Sequence, residues 1–246
     1  MGAGSDIGRV TALFLKQQKV IKTLTLYDEP EGCVLGVASD VAHIDTSTEV
    51  EAYQGRLYLK HALHTLKLIG TYDKRRLLGV NAISSMRANQ LFCSLTGKDP
   101  STSHMPVICG TGRCTRVPVF SMGKAGNFPQ TQVECLTKLV REAEEIICKV
   151  KGDGKQGHLS IGFSTARFVI NIMKGLFEKP TFIDSALVEQ EDPKKCYDMP
   201  ICATPITIGK GGIVQYEVPT LNETETRLLE KSKSQIFRVL GSKNEK

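Results

Sequence analysis

The stretch that most strongly indicates the fold is MGAGSDIGRVTALFL (residues 1–15). Three glycines, Gly2, Gly4 and Gly8, come before an apolar run with helical spacing. A glycine-rich turn that opens a helix presents backbone N–H groups to an anion, so the stretch predicts a phosphate-binding turn. The motif is specific only after a strand, and Met1 is the single residue before it.

The next run, KTLTLYD (residues 22–28), is rich in β-branched and apolar residues and predicts a strand. Helix followed by strand is the second half of a βαβ unit. Asp28 lies 20 residues after Gly8. Dinucleotide-binding folds place a carboxylate on the cofactor ribose at about this separation. The alternative is an acid at a strand-end turn, and the spacing favours the cofactor-binding role.

Length and composition limit the class of protein. The chain has 246 residues, of which 41% are hydrophobic and 24% charged, as in ordinary globular proteins of one large or two modest domains. Its net charge of +6 is spread along the sequence, so we expect no nucleic-acid partner. No run is long enough for a membrane span, and no targeting peptide is visible.

The eight cysteines contain no C-x-x-C pair. Their scatter argues against a metal site and against a disulfide framework, and it suits a reducing compartment.

Hydrophobic spacing predicts the remaining elements. Helices are expected over residues 36–46, 59–66, 132–149, 160–173 and 221–239, a strand over 49–53, and antiparallel strands over 201–208 and 212–218.

Several stretches together carry a resemblance to a known family. Besides the opening glycines and LYD (26–28), they are GVASDVAHIDT (36–46), YDKRRLLGV (72–80), MRAN (86–89), MPVI (105–108), ARF (166–168) and ATPITIGK (203–210). In this order the chain resembles NAD-dependent malate dehydrogenases of the mitochondrial and bacterial type over nearly its whole length. The resemblance implies an α/β fold. We expect a truncated Rossmann-like parallel sheet lacking inner strands in residues 1–80, and an α+β C-terminal substrate domain of the lactate/malate dehydrogenase type in residues 81–246.

The resemblance also implies a reaction, the NAD-dependent interconversion of malate and oxaloacetate, with a small dicarboxylate as substrate. It implies a homodimer or heterodimer, and a location in the mitochondrial matrix, with the cytoplasm as the alternative. Arg87 takes the family's place for gripping the substrate carboxylate that does not react, a role that suits a planar guanidinium. The alternative for Arg87 is a helix-surface arginine without a ligand. The implied cofactor-binding positions are Gly2, Gly4, Gly8, Asp28 and Ile161.

The catalytic pair departs from the family. The family's proton-accepting His aligns with Thr111, and the Asp that orients it aligns with Ser84. A threonine hydroxyl does not titrate near neutrality, so it cannot accept and return a proton as imidazole does. Ser84 has no charge to stabilise an imidazolium. Losing one general acid–base group costs factors of about 10² to 10⁴ in rate. His158 is the only other candidate base, and nothing in the sequence orients it.

Two further departures concern the cofactor half. Ser5 and Asp6 stand where the family has glycines, and their side chains obstruct close approach to a pyrophosphate. Compared with the family, the sequence lacks the opening strand. At Gly70–Thr71 it lacks several elements, including a mobile loop that bears two arginines. Strands 22–27 and 49–53 are therefore expected to be poorly supported, unless they pair with each other or with a partner chain.

These observations leave three hypotheses. The first is a degenerate malate-dehydrogenase-like protein with little or no activity. The second is a working NAD-dependent malate dehydrogenase of the citric acid cycle. The third is a non-catalytic protein that dimerises with an intact homologue through Val37–Ile44.

Overall fold

The structure is a computed structural model that describes residues 2–28, 32–54, 72–123, 128–152 and 157–241, the last five as backbone only. The helix expected over residues 59–66 and the junction at Gly70–Thr71 lie outside these residues. The chain divides into two compact units: residues 1–73 with 157–170, and residues 74–156 with 171–246. The boundary expected after residue 80 stays a prediction.

The first unit begins with helix α1 (Asp6–Lys16), strand β1 (Thr23–Asp28), helix α2 (Val34–Ala42) and strand β2 (Glu49–Gln54). β1 and β2 are parallel neighbours, with Thr23 opposite Glu49 and Asp28 opposite Gln54. The two strands therefore pair with each other, which is one of the two conditions stated above for their support. On β1 only Leu24 and Leu26 are buried, at 8% and 5% exposure.

Lys16, at the end of α1, fixes the entrance to β2. Its side chain is 3% exposed, and its Nζ donates to the carbonyl oxygen of Thr48. The Thr48 hydroxyl in turn donates to the carbonyl oxygens of Lys16 and Ile21, at 3.1 and 2.9 Å. A buried lysine is tolerated only where such oxygens satisfy its charge, so this network ties the end of α1 to β2.

Helix α5 (His158–Phe177) contributes its residues 158–170 to the first unit. A Cβ on Gly162 would lie 2.6 Å from Val10 Cβ, so glycine allows α1 and α5 to approach closely. Beside this contact the rings of Phe14 and Phe163 meet edge to face, with their centroids 5.1 Å apart. This ring pair and the buried Phe168 of the same helix serve packing.

The second unit is built on a six-stranded antiparallel sheet. The strand order is β3–β6–β7–β4–β5, and β8 also pairs with β7. The strands are β3 (Gly79–Val80), β4 (Val107–Cys109), β5 (Arg116–Pro118), β6 (Thr181–Glu189), β7 (Ile201–Gly209) and β8 (Gly212–Tyr216), and the helices are α3 (Ala82–Thr96), α4 (Gln130–Lys151) and α6 (Glu223–Gly241).

Two apolar clusters fill the second unit. The first joins α3, α4 and β4, and Phe92 at its centre is 0% exposed. The second joins β4, β5 and the segment before β7, and contains Cys109, Cys196, Met199 and Cys202. β7 pairs with β4, β6 and β8, and seven of its nine residues are buried.

The α/β fold class is confirmed, with a short parallel sheet in the first unit and an α+β second unit. The ends of the described helices α2, α4, α5 and α6 differ from their predicted positions by two to four residues. Differences of this size are common at the ends of helices. Strands β7 and β8 are antiparallel, as expected. Among the helices that the structure describes, none combines the length and apolar character needed to cross a bilayer.

Candidate functional site

The glycine turn in front of α1 is closed by hydrogen bonds from its own neighbourhood. The N–H of Gly4 donates to Asp28 Oδ2 at 2.5 Å, and the N–H of Gly8 donates to Ser5 Oγ at 3.0 Å. Ser5 is the N-cap of α1, and its hydroxyl also donates to the Gly2 carbonyl at 2.7 Å. A serine N-cap satisfies a helix donor that a phosphate would otherwise contact.

Close packing explains why glycine occupies this turn. A Cβ on Gly8 would lie 2.1 Å from the Gly2 carbonyl oxygen, and one on Gly4 would lie 2.5 Å from Asp28 Oδ2. The turn borders a cavity of about 320 Å³ that is also lined by β1 residues Leu24, Thr25 and Leu26. Oxygens of the chain already accept from the N–H groups of Gly4 and Gly8, so a dinucleotide pyrophosphate would have to displace them to bind these two groups.

The other cofactor-binding predictions also fall in the first unit. Asp28 is the last residue of β1, and its carboxylate accepts a hydrogen bond from the Gly4 N–H of the glycine turn. Ile161 lies in the first turn of α5 and is half-buried; its carbonyl accepts from the hydroxyls of Ser164 and Thr165. Roles for Asp28 and Ile161 toward a cofactor stay predictions.

Ser84 belongs to a buried polar network in the second unit. Its side chain is 1% exposed and its hydroxyl donates to Asn81 Oδ1 at 2.8 Å. The Asn81 amide donates to Ser185 Oγ at 2.8 Å, and Ser185 donates to the Val107 carbonyl at 2.5 Å. These bonds connect the start of α3 to β4 and β6, which is a structural task for an uncharged hydroxyl.

Thr111 lies just after β4, in the turn that leads to β5, and is half-buried. Its carbonyl oxygen accepts from Arg116 Nε at 3.0 Å, while the Arg116 carbonyl accepts from Arg141 Nε at 2.8 Å. Thr111 and Ser84 therefore have different hydrogen-bond partners: Arg116 donates to the Thr111 carbonyl, and Ser84 donates to Asn81. No sequence pattern indicated that Arg116 and Arg141 lie beside Thr111.

Arg87 projects from α3 and is 10% exposed at its side chain. Its Nη2 donates to Glu144 Oε2 on α4 at 2.5 Å. A carboxylate of the chain itself therefore occupies one arm of the guanidinium that the resemblance assigns to a substrate carboxylate. The charge-assisted bond and low exposure make this pair stronger than an ordinary surface ion pair.

The pair Arg87–Glu144 lies within a concentration of positive charge. Burial lowers the pKa of Arg116, and the neighbouring Arg87 lowers it further while Glu144 raises it. Burial likewise lowers the pKa of Arg141. Guanidiniums brought together in a partly buried place require an anion, and Glu144 supplies one. Glu144 was missed because it is 57 residues from Arg87 and resembles any solvated acid of an amphipathic helix.

The described residues contain no group of three or more His, Cys, Asp or Glu side chains arranged to hold a metal ion. The side chains described at Ser84, Arg87, Thr111, Arg116, Arg141 and Glu144 are guanidiniums, hydroxyls and one carboxylate. None of the hydroxyls is a base near neutrality.

Comparison with known proteins identifies the family. Residues 83–244 match the family described as lactate/malate dehydrogenase, alpha/beta C-terminal domain. This chain belongs to the lactate/malate dehydrogenase family. The matched residues are about two-thirds of the sequence and include Ser84, Arg87 and Thr111.

Individual relatives extend the likeness toward the N-terminus. The glyoxysomal malate dehydrogenase of Cucumis sativus is 24% identical over 300 aligned residues, covering 96% of this chain and 83% of the relative. The mitochondrial malate dehydrogenase of Sus scrofa is 25% identical over 276 residues, covering 87% of this chain and 80% of the relative.

Solved structures show the same fold at lower identity. The malate dehydrogenase of Salinibacter ruber superimposes with a TM-score of 0.75 at 14% identity, over 97% of this chain and 94% of that one. A lactate dehydrogenase of Eimeria maxima, solved with NADH and oxamate, gives a TM-score of 0.71 at 14% identity, over 96% and 90% of the chains.

Proposed function

We propose that this chain is a malate-dehydrogenase-like protein with little or no dehydrogenase activity. The observation that carries the proposal is the Arg87–Glu144 bond of 2.5 Å, in which a carboxylate of the chain takes the place expected for a carboxylate of malate or oxaloacetate. A substrate must displace Glu144 before it can bind Arg87, and it then leaves a partly buried acid without that partner.

The residues at the catalytic positions support the same conclusion. Thr111 and Ser84 carry hydroxyls, so these two positions supply no imidazole–carboxylate pair to accept the proton that leaves the alcohol during oxidation. Ser84 is moreover committed to Asn81 inside the protein. The family role of proton acceptor at Thr111, with Ser84 orienting it, is therefore proposed to be lost.

NAD is the cofactor that the family resemblance implies, and its binding is proposed to be weak in this chain. The hydrogen bonds from Gly4 to Asp28 and from Gly8 to Ser5 support this, since a pyrophosphate has to compete with both. When bound, NAD supplies a hydride acceptor. Asp28 is the residue that would meet its ribose, once released from Gly4.

The activity test uses oxaloacetate and NADH with the purified full chain. We expect no protein-dependent NADH oxidation and no rise in Tm with saturating NAD. A turnover in the ordinary enzyme range, of order 1–10³ s⁻¹, would overturn the proposal and favour a working malate dehydrogenase.

A second test addresses Glu144 directly. In Glu144→Gln the amide is uncharged, so Arg87 becomes available to an added dicarboxylate. We expect malonate to raise the Tm of this variant and to leave the wild type unchanged. Glu145→Gln is the matched control, because Glu145 is the next residue on α4 and pairs with Arg113 and Lys149. An equal rise in wild type and Glu144→Gln would show that Glu144 does not block the site.

A further inference from the structure

Two cysteines that are six residues apart meet inside the second unit. The sulfurs of Cys196 and Cys202 are 2.7 Å apart, and the two residues are 1% and 0% exposed. Both are free thiols. A disulfide bond needs about 2.05 Å between sulfurs, so closing the remaining gap takes a movement of about 0.7 Å.

The backbone between the cysteines holds the sulfurs together. Tyr197 and Asp198 both have positive φ values, 56° and 58°, which non-glycine residues adopt only when the surroundings enforce it. The Met199 N–H donates to the Cys196 carbonyl at 3.0 Å, and the Tyr197 hydroxyl donates to the Pro219 carbonyl at 2.7 Å. These dihedral angles and hydrogen bonds hold the loop in a conformation in which the two thiols are in contact.

The two sulfurs differ in access. Cys196 lines a cavity of about 430 Å³, together with residues that include Gln190, Asp192 and Lys195. Cys202 is the second residue of β7, opposite Val188 of β6, and it is not among the residues that line this cavity. Although both residues are almost fully buried, Cys196 is the one of the two that borders the cavity and that a small molecule there would meet first.

The hydrogen bond between the thiols also distinguishes them. The bond from Cys202 lowers the pKa of Cys196, against the effect of burial, and the same bond raises the pKa of Cys202. The cavity-lining sulfur is thus the one more readily deprotonated, and thiolates are the reactive form of cysteine. Cys109, in the same cluster, has its pKa raised to about 12 by burial and stays a thiol.

We propose that Cys196 and Cys202 are a peroxide-sensitive dithiol that closes to an intramolecular disulfide. The Cys196 thiolate attacks one oxygen of hydrogen peroxide, the O–O bond breaks, and hydroxide leaves, giving a sulfenic acid at Cys196. Cys202 then attacks that sulfur, the S–O bond breaks, and the oxygen leaves as water with the Cys202 proton. Two thiols and one peroxide thus become one disulfide and two waters. This site is independent of any dehydrogenase activity.

The test follows a single tryptic peptide. Lys195 and Lys210 flank residues 196–210, which contain both cysteines and no other lysine or arginine. The folded chain is treated with hydrogen peroxide, free thiols are alkylated after denaturation, and the peptide is weighed. We expect it to lose both alkylation sites and two hydrogens. Cys135, which is exposed, reports general oxidation in the same sample.

Two variants assign the order of events. In Cys202→Ser the sulfenic acid cannot be resolved, so we expect dimedone to label Cys196; in Cys196→Ser we expect dimedone to leave Cys202 unlabelled. The proposal fails if, in the folded wild type, peptide 196–210 keeps two alkylatable thiols at a peroxide dose that oxidises Cys135. It also fails if Cys196 is recovered joined to Cys109. Both readouts on the wild type stand whether or not the variants fold.

Discussion

Asp28 in the first unit and Arg87 in the second are the two charged residues that the family resemblance assigns to ligands. Each is bound instead by a group of the chain: Asp28 by the Gly4 N–H and Arg87 by the Glu144 carboxylate, both at 2.5 Å. Their partners differ in kind. Asp28 is held by backbone in a tightly packed turn, whereas Arg87 is held by a side chain that one substitution removes.

The surroundings of the two residues differ as well. Asp28 ends a strand of a two-stranded sheet whose other strand, β2, has no fully buried residue. Arg87 lies on α3, and other residues of this helix belong to a buried apolar cluster that includes Val107 of the six-stranded sheet. A motif that is readable in the sequence can therefore lie in the less buried part of the protein, whereas Ser84, Arg87 and Thr111 lie in the better-packed part.

The largest expected effect tests the buried apolar cluster of the second unit. Phe92→Ala removes a ring that is 0% exposed, and we expect the free energy of unfolding to fall by about 3–5 kcal/mol in urea titrations. Leu95→Ala, on the same helix but 52% exposed, is the control and should cost less than about 1 kcal/mol. Similar losses for both would mean that the cluster is not close-packed.

A smaller effect tests the glycine turn of the first unit. In Gly4→Ala the new methyl meets Asp28 Oδ2 at 2.5 Å and the Cys33 nitrogen at 2.9 Å, so we expect a loss of about 1–3 kcal/mol. Gly36→Ala, within α2, meets nothing within 4 Å, and it should gain about 0.5–1 kcal/mol through helix propensity. Faster amide exchange of β1 in Gly4→Ala alone would locate the effect. If the two variants behave alike, the turn is looser than described.

The smallest effect concerns the buried thiol of Cys109. Its folded pKa is raised from 9.0 to about 12, so the unfolded chain releases this proton first as pH rises. The stability that the neutral thiol contributes is complete below pH 9 and is lost as pH rises toward 12. By pH 10 we expect a loss of about 1.4 kcal/mol from this group. Cys109→Ala should lack this part of the pH dependence, and equal slopes for both proteins would contradict the assignment.

Much of the fold could be predicted because it follows local patterns. The alternation of KTLTLYD predicts β1, and the apolar spacing of residues 132–149 predicts α4, since both express burial along one face. The predicted ends of the helices were less accurate than the predicted helices themselves, because capping residues and close tertiary contacts determine where a helix ends. The site was predicted only in part. Arg87, Thr111 and Ser84 could be placed by alignment with the family, but their partners Glu144, Arg116 and Asn81 could not.

The family, the succession of helices and strands, and the chemistry of individual side chains follow from the amino-acid sequence alone. A threonine at position 111 and a serine at position 84 do not titrate near neutrality in any fold, because the hydroxyl group itself forbids it. Which groups meet, in contrast, depends on tertiary packing. Glu144 reaches Arg87 across 57 residues, Asp28 closes the turn of Gly4 across 24, and Cys196 touches Cys202 through a loop with two positive φ values. Such contacts depend on how helices and strands pack, and no local spacing in the chain encodes them.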